Sequence, residues 1–136
     1  MATIKSYTDL EQSKKLTEIL PLESADNVIV SIGDREGVKT ITMPKETLNI
    51  LRTPFADIRN TIPCWSLAAL LEQLPYEVVD DNGNSMYLRM YKEDDVYQLV
   101  YEDPYGDFES IETDRYEHFV DACVELILKL NELNLL

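Results

Sequence analysis

Glycine is scarce, at four in 136 residues. That scarcity excludes the loops in which consecutive backbone N–H groups cradle a phosphate, because such loops need glycine at several fixed positions. Histidine occurs once, as His118, so neither a histidine-rich metal site nor a conventional nucleophile–base pair can be assembled freely. Cysteine occurs twice, at Cys64 and Cys123. Without CxxC spacing or neighbouring histidines the pair makes neither a disulfide framework nor a zinc site, and both read as buried, reduced thiols. No window approaches eighteen consecutive apolar residues, and the opening MATIKSYTDLEQSKK lacks the apolar run of a signal peptide, which predicts a cytoplasmic protein.

Positive charge is also in short supply: twelve Lys and Arg stand against twenty-six Asp and Glu, for a formal charge of -14. The imbalance is uneven. Residues 1–75 hold ten acids and eight bases, whereas residues 76–117 hold thirteen acids and three bases, a local net of -10. A surface of that sign repels phosphate backbones and anionic lipid, so direct nucleic-acid binding and membrane adsorption are not expected.

What is present suffices for one folded domain over residues 1–136, since 45% of the residues are apolar. Thr8 and Glu11 have capping-box spacing ahead of a helix over about 9–20, ended by Pro21. NVIVSIGDREGVKTITM reads as a hairpin at about 27–43, with Val38, Thr40 and Thr42 alternating against Lys39, Ile41 and Met43. Residues 44–60 read as a short helix followed by irregular chain. IPCWSLAALLEQLP, bracketed by Pro63 and Pro75, reads as an almost fully buried helix at 64–74.

The segment 76–112 carries six tyrosines and eleven acids. Asn82-Gly83, Glu93-Asp94 and Asp103-Pro104-Tyr105-Gly106 have turn chemistry, which predicts a four-stranded antiparallel meander. Loops of even length would place Val79, Met86, Leu88, Met90, Tyr97, Leu99, Tyr101 and Phe108 on one apolar face. The other face would show Val78, Tyr87, Arg89, Tyr91, Val96, Gln98, Val100 and Glu102. Asp114 and Glu117 suggest a capping box for a C-terminal helix whose stripe includes Tyr116, Phe119, Val120, Cys123, Ile127 and Leu130. The fold class is therefore α+β, with the meander covered by the C-terminal helix and the 64–74 helix.

No motif points to catalysis. DDNGNS at 80–85 resembles a calcium loop, but the glycine and glutamate of an EF-hand fall at the wrong positions, and a turn is the simpler reading. The acids of Glu93-Asp94-Asp95 and Glu102-Asp103 read as solvated rather than as a metal site. His118 with Asp114 and Asp121 offers the one arrangement around which a small enzyme or metal protein could be built, and a lone solvated imidazole is the simpler reading. Ser66 lacks the glycines of a nucleophile elbow. Trp65 reads as core. The sequence thus implies no enzyme, no cofactor and no metal.

SYTDLEQSKKLTEILPLESAD (6–26), IPCWSLAALLEQLP (62–75) and DACVELILKLNELNLL (121–136) resemble blocks of a family of short uncharacterised proteins encoded by gut bacteria and their mobile elements. The resemblance implies a bacterial, cytosolic setting and carries no activity or site residue. The residues themselves favour a non-catalytic interaction protein. Its candidate partner surface is Tyr87, Arg89, Tyr91, Glu93, Asp94, Asp95, Glu102 and Asp103, suited to a basic protein or to a second copy in a homodimer. A DNA-mimicking inhibitor of a nucleic-acid-binding protein is the alternative, and it needs carboxylates spread at phosphate-like intervals.

Overall fold

The computed structural model describes residues 4–34, 37–47, 58–107 and 109–136. The chain is α+β and divides into two compact units, one of Tyr7–Ala69 and one formed mainly by Leu70–Leu136.

In the first unit, helix α1 (Leu10–Thr17) begins at Asp9, whose side chain accepts from the Gln12 N–H while the Gln12 side chain accepts from the Asp9 N–H. The expected cap was Thr8 with Glu11. Thr8 is instead buried, its hydroxyl bonded to Ser13 at 2.8 Å and accepting from the Trp65 N–H, so the next polar residue takes the cap. The hairpin forms as read, from β1 (Asn27–Asp34) and β2 (Gly37–Pro44), with Val28, Val30 and Met43 clustered on one face. Its two linking residues lie outside the described chain. Asn27 and the β-branched run Val28, Ile29 and Val30 are all buried, and they open the middle strand of a three-stranded sheet ordered β2-β1-β3.

Strand β3 (Ile58–Cys64) was not anticipated. Pro63 does not start a helix over 64–74; it sits in an edge strand opposite Val28, where proline is tolerated because only one side of the strand is bonded. The helix is shorter, α2 (Leu67–Gln73), with Ser66 at its cap accepting from the Ala69 N–H. Of the short helix and irregular chain expected over 44–60, residues 45–47 are helical, Pro44 instead ends β2 and residues 58–60 instead open β3, and residues 48–57 lie outside the described chain.

In the second unit the meander is present, ordered β4-β5-β6-β7 from Glu77–Val79, Ser85–Glu93, Val96–Glu102 and Ile111–Glu112. It is covered by α3 (Phe119–Glu132), whose Val120, Cys123, Val124, Leu126, Ile127 and Leu130 are buried. Tyr97 meets Phe119 of that helix with ring centroids 5.4 Å apart. Each such large side chain leaving water stabilises by roughly 1.5–3 kcal/mol, which holds helix to sheet.

The reading of the meander's faces holds for β5 and β6, where Leu88 faces Tyr101 and Met90 faces Leu99. It fails for β4. Val78 pairs with Met86 and is 3% exposed, while Val79 pairs with Ser85 and is 51% exposed, the reverse of expectation. The cause is the turn. Instead of a two-residue Asn82-Gly83 reversal, the loop runs from Asp80 to Asn84, with Asp80 Oδ1 accepting from the N–H groups of Asn82 and Asn84. An odd loop length shifts the register by one residue and exchanges the faces. Met90, though on the inner face, lies at the sheet's far end and is 54% exposed, and Val100, placed on the outer face, is buried. Phe108 lies outside the described residues.

The Asp114–Glu117 capping box is also corrected. Tyr116 exchanges backbone hydrogen bonds with Tyr97, so 113–116 extends the sheet edge, and the helix starts after His118. The end of α3 is closed by Asn134 at φ 57 and a bond from the Leu135 N–H to the Leu130 carbonyl, the left-handed closure that asparagine tolerates.

Candidate functional site

The alternation of β5 sets Tyr87, Arg89, Tyr91 and Glu93 in one row on the outer face of the meander, beside their partners Glu102, Val100, Gln98 and Val96 on β6. Tyr87 is half-buried, with its ring centroid 5.6 Å from that of Tyr76. Arg89 is exposed and donates from Nη1 to the Leu88 carbonyl at 2.9 Å. The Tyr91 hydroxyl donates to Glu102 Oε1 at 2.7 Å, and that bond to a carboxylate holds the phenol above its ordinary pKa. Asp94 and Asp95 form the two-residue link between β5 and β6, Asp94 at φ 53.

Asp103 belongs to the turn rather than to the surface. Its Oδ1 accepts from the Tyr105 N–H and its Oδ2 from the Asp107 N–H at 2.7 Å, so this acid fixes the loop that follows β6. Asp80 plays the same part in the first loop, and its carboxyl lies below the ordinary carboxylate range because of the bonds it accepts from Asn84 and Asn82. Two of the acids that made the segment look like a charged patch are therefore engaged by backbone.

Sequence reasoning missed Arg115. With Tyr91, Glu93, Val96, Tyr97 and Gln98 it lines an open cleft of about 300 Å3. Arg115 Nη1 stands 3.8 Å from Glu93 Oε2, and both side chains are mostly exposed. Gln98 is anchored by its Nε2 donating to the Thr113 carbonyl. The misreading of 114–117 as the start of a helix is what hid Arg115, because only the pairing of Tyr116 with Tyr97 as an extension of the sheet edge brings Arg115 beside Glu93.

The other singled-out residues have structural roles. Trp65 is buried and its Nε1 donates to Ser24 Oγ at 2.9 Å. Ser66 donates from both its N–H and its hydroxyl to Asp26. Asp26 sits below its usual range because, although partial burial pushes it upward, those hydrogen bonds outweigh burial. Burial pushes both free thiols, Cys64 and Cys123, up to about 12, which keeps them protonated and unreactive at neutral pH. Asp121 is ion-paired to Lys5 at 2.7 Å, and the Asp114 N–H donates to Glu125. Among the described residues no three His, Cys, Asp or Glu are grouped so as to hold a metal ion, and no helix is long and apolar enough to cross a membrane. No family model matches this chain, and no curated protein or solved structure does so either.

Proposed function

We propose that this protein is a non-catalytic interaction protein whose acidic, tyrosine-bearing meander face receives a basic protein partner. The observation that carries the reading is the row Tyr87, Arg89, Tyr91 and Glu93, with Tyr91 49% exposed at the rim of the Glu93–Arg115 cleft. Aromatic and arginine side chains supply most of the affinity at protein interfaces, while net charge sets encounter rate and excludes wrong partners. An exposed, widely spaced pair such as Glu93 and Arg115 contributes little to the fold and is readily exchanged for a partner's cation.

The test is affinity capture from the native host followed by mass spectrometry, comparing the wild type with Glu93→Gln/Asp94→Asn/Asp95→Asn and with Tyr91→Ala. Loss of the same recovered protein in both variants is the expected result. Identical recovery by all three baits would leave the acids as a solvated surface and end the proposal.

A further inference from the structure

Strand β5 runs for nine residues, and its neighbour β4 for only three. β4 pairs with Ser85, Met86 and Tyr87, and the ladder ends where the Leu88 N–H donates to the Tyr76 carbonyl. In an antiparallel ladder alternate residues direct their N–H and C=O to opposite sides. Since Leu88 bonds toward β4, so do Met90 and Lys92, and among the described residues nothing pairs them on that side. The Arg89 side chain folds back over the Leu88 carbonyl, the first acceptor beyond the end of β4. Side chains along this stretch are exposed, Met90 and Tyr91 among them. An open edge of this kind is a template for another strand.

The geometry points to a second copy of the same chain on this edge, the two β5 strands running antiparallel about a twofold axis at Tyr91. The charge sequence selects that register. Centring the pair on Arg89, Lys92 or Glu93 sets like charges opposite one another, and centring it on Met90 sets Arg89 opposite Tyr91 and Glu93 opposite Tyr87, which forms no ion pair. Centring on Tyr91 places Arg89 opposite the partner's Glu93, twice by symmetry, and Met90 opposite the partner's Lys92. Met90 and Lys92 are the residues whose backbone groups point outward, so the same register closes about four backbone hydrogen bonds. The two edge strands of the other sheet offer no such selection, since the only charged residue is Lys39 in β2 and Arg59 in β3.

This assembly shares Arg89, Tyr91 and Glu93 with the proposed partner surface, but it also requires the outward backbone groups of Met90 and Lys92, so Met90→Pro, which leaves that row in place, separates a failure of the dimer from a failure of the partner surface. With a net charge of -14 on each copy, the dimer strengthens as salt screens repulsion. Sedimentation of the purified full chain over a concentration series, at low salt and at about 0.5 M NaCl, tests it. Arg89→Glu and Glu93→Arg should each weaken association by at least ~10-fold, and the double swap should bring it back to within ~3-fold of wild type. Met90→Pro removes an N–H that points away from β6, and should give a monomer that unfolds close to the wild-type temperature. A wild type that stays monomeric at its highest soluble concentration, a double swap no better than the worse single swap, or a folded Met90→Pro dimer would overturn the inference. Should Met90→Pro not fold, the charge swaps decide alone.

Discussion

Several side chains that suggested chemistry in the sequence are committed to the fold, and their ionisation reports it. The ordinary pKa of a cysteine is 9.0, and burial raises both Cys64 and Cys123 to about 12, Cys64 with some help from the charge of Asp26. Tyr116 rises from 10.0 to about 12, first through its hydrogen bond to the Glu125 carboxylate and then through burial and nearby carboxylates. A group whose pKa is higher in the folded state favours folding below its unfolded value and loses that contribution as pH rises toward the folded value. Urea midpoints should therefore be flat between about pH 7 and 9 and fall progressively from about 9 to 12. At pH 8 iodoacetamide should label both thiols far more slowly in native protein than in urea. Equal labelling rates in the two states would show that the thiols are not buried. The acid side has the opposite sign: Asp26 is held below 3.8, so its contribution is complete above that value and disappears as pH falls through the folded value.

At the scale of elements, the reversals decide which faces are apolar. β5 and β6 were legible because the Asp94-Asp95 link has two residues, and alternating Leu88, Met90, Leu99 and Tyr101 then fix one face. β4 was not, because Asn82-Gly83 carries a strong two-residue turn signal that Asp80 overrides through its bonds to the Asn82 and Asn84 backbones. Asp80→Ala should lower the urea midpoint, because the Asn82 and Asn84 N–H groups lose their acceptor. With that acceptor gone, the shorter turn competes and moves Val79 inward, which backbone amide exchange and cross-strand NOEs at Val78 and Val79 would detect. Unchanged stability and unchanged NOEs would mean that another contact sets the register. β3 was illegible for a different reason. Ile62, Pro63, Cys64 and Trp65 continue directly into the apolar α2, and the change from a period of two to one of 3.6 falls at Ser66, a single polar residue. Of the candidate surface, the β5 row was readable from alternation, whereas Arg115 depended on the sheet extending through Tyr116 rather than turning helical.

Across the whole molecule, the two compact units reach their sheets by different routes. Every neighbour in the four-stranded meander is also the next strand in sequence, so each pairing closes a short loop. In the three-stranded sheet β1 must instead find β3, so that Ile29 meets Ile62 after the chain has completed an entire hairpin and the segment beyond it. Distant pairings require more chain entropy to be lost before any contact rewards it, and they form late. In a pulse-labelled refolding experiment the amides of β5 and β6 should gain protection before those of β3, and simultaneous protection would show that the two units fold as one. The late arrival of β3 has a consequence during synthesis. Val28–Val30, a run of three buried β-branched residues in β1, emerges from the ribosome with one flank bare until Cys64 has followed, which opens this stretch of a nascent molecule to capture by a chaperone or to mispairing with its neighbour on the same message.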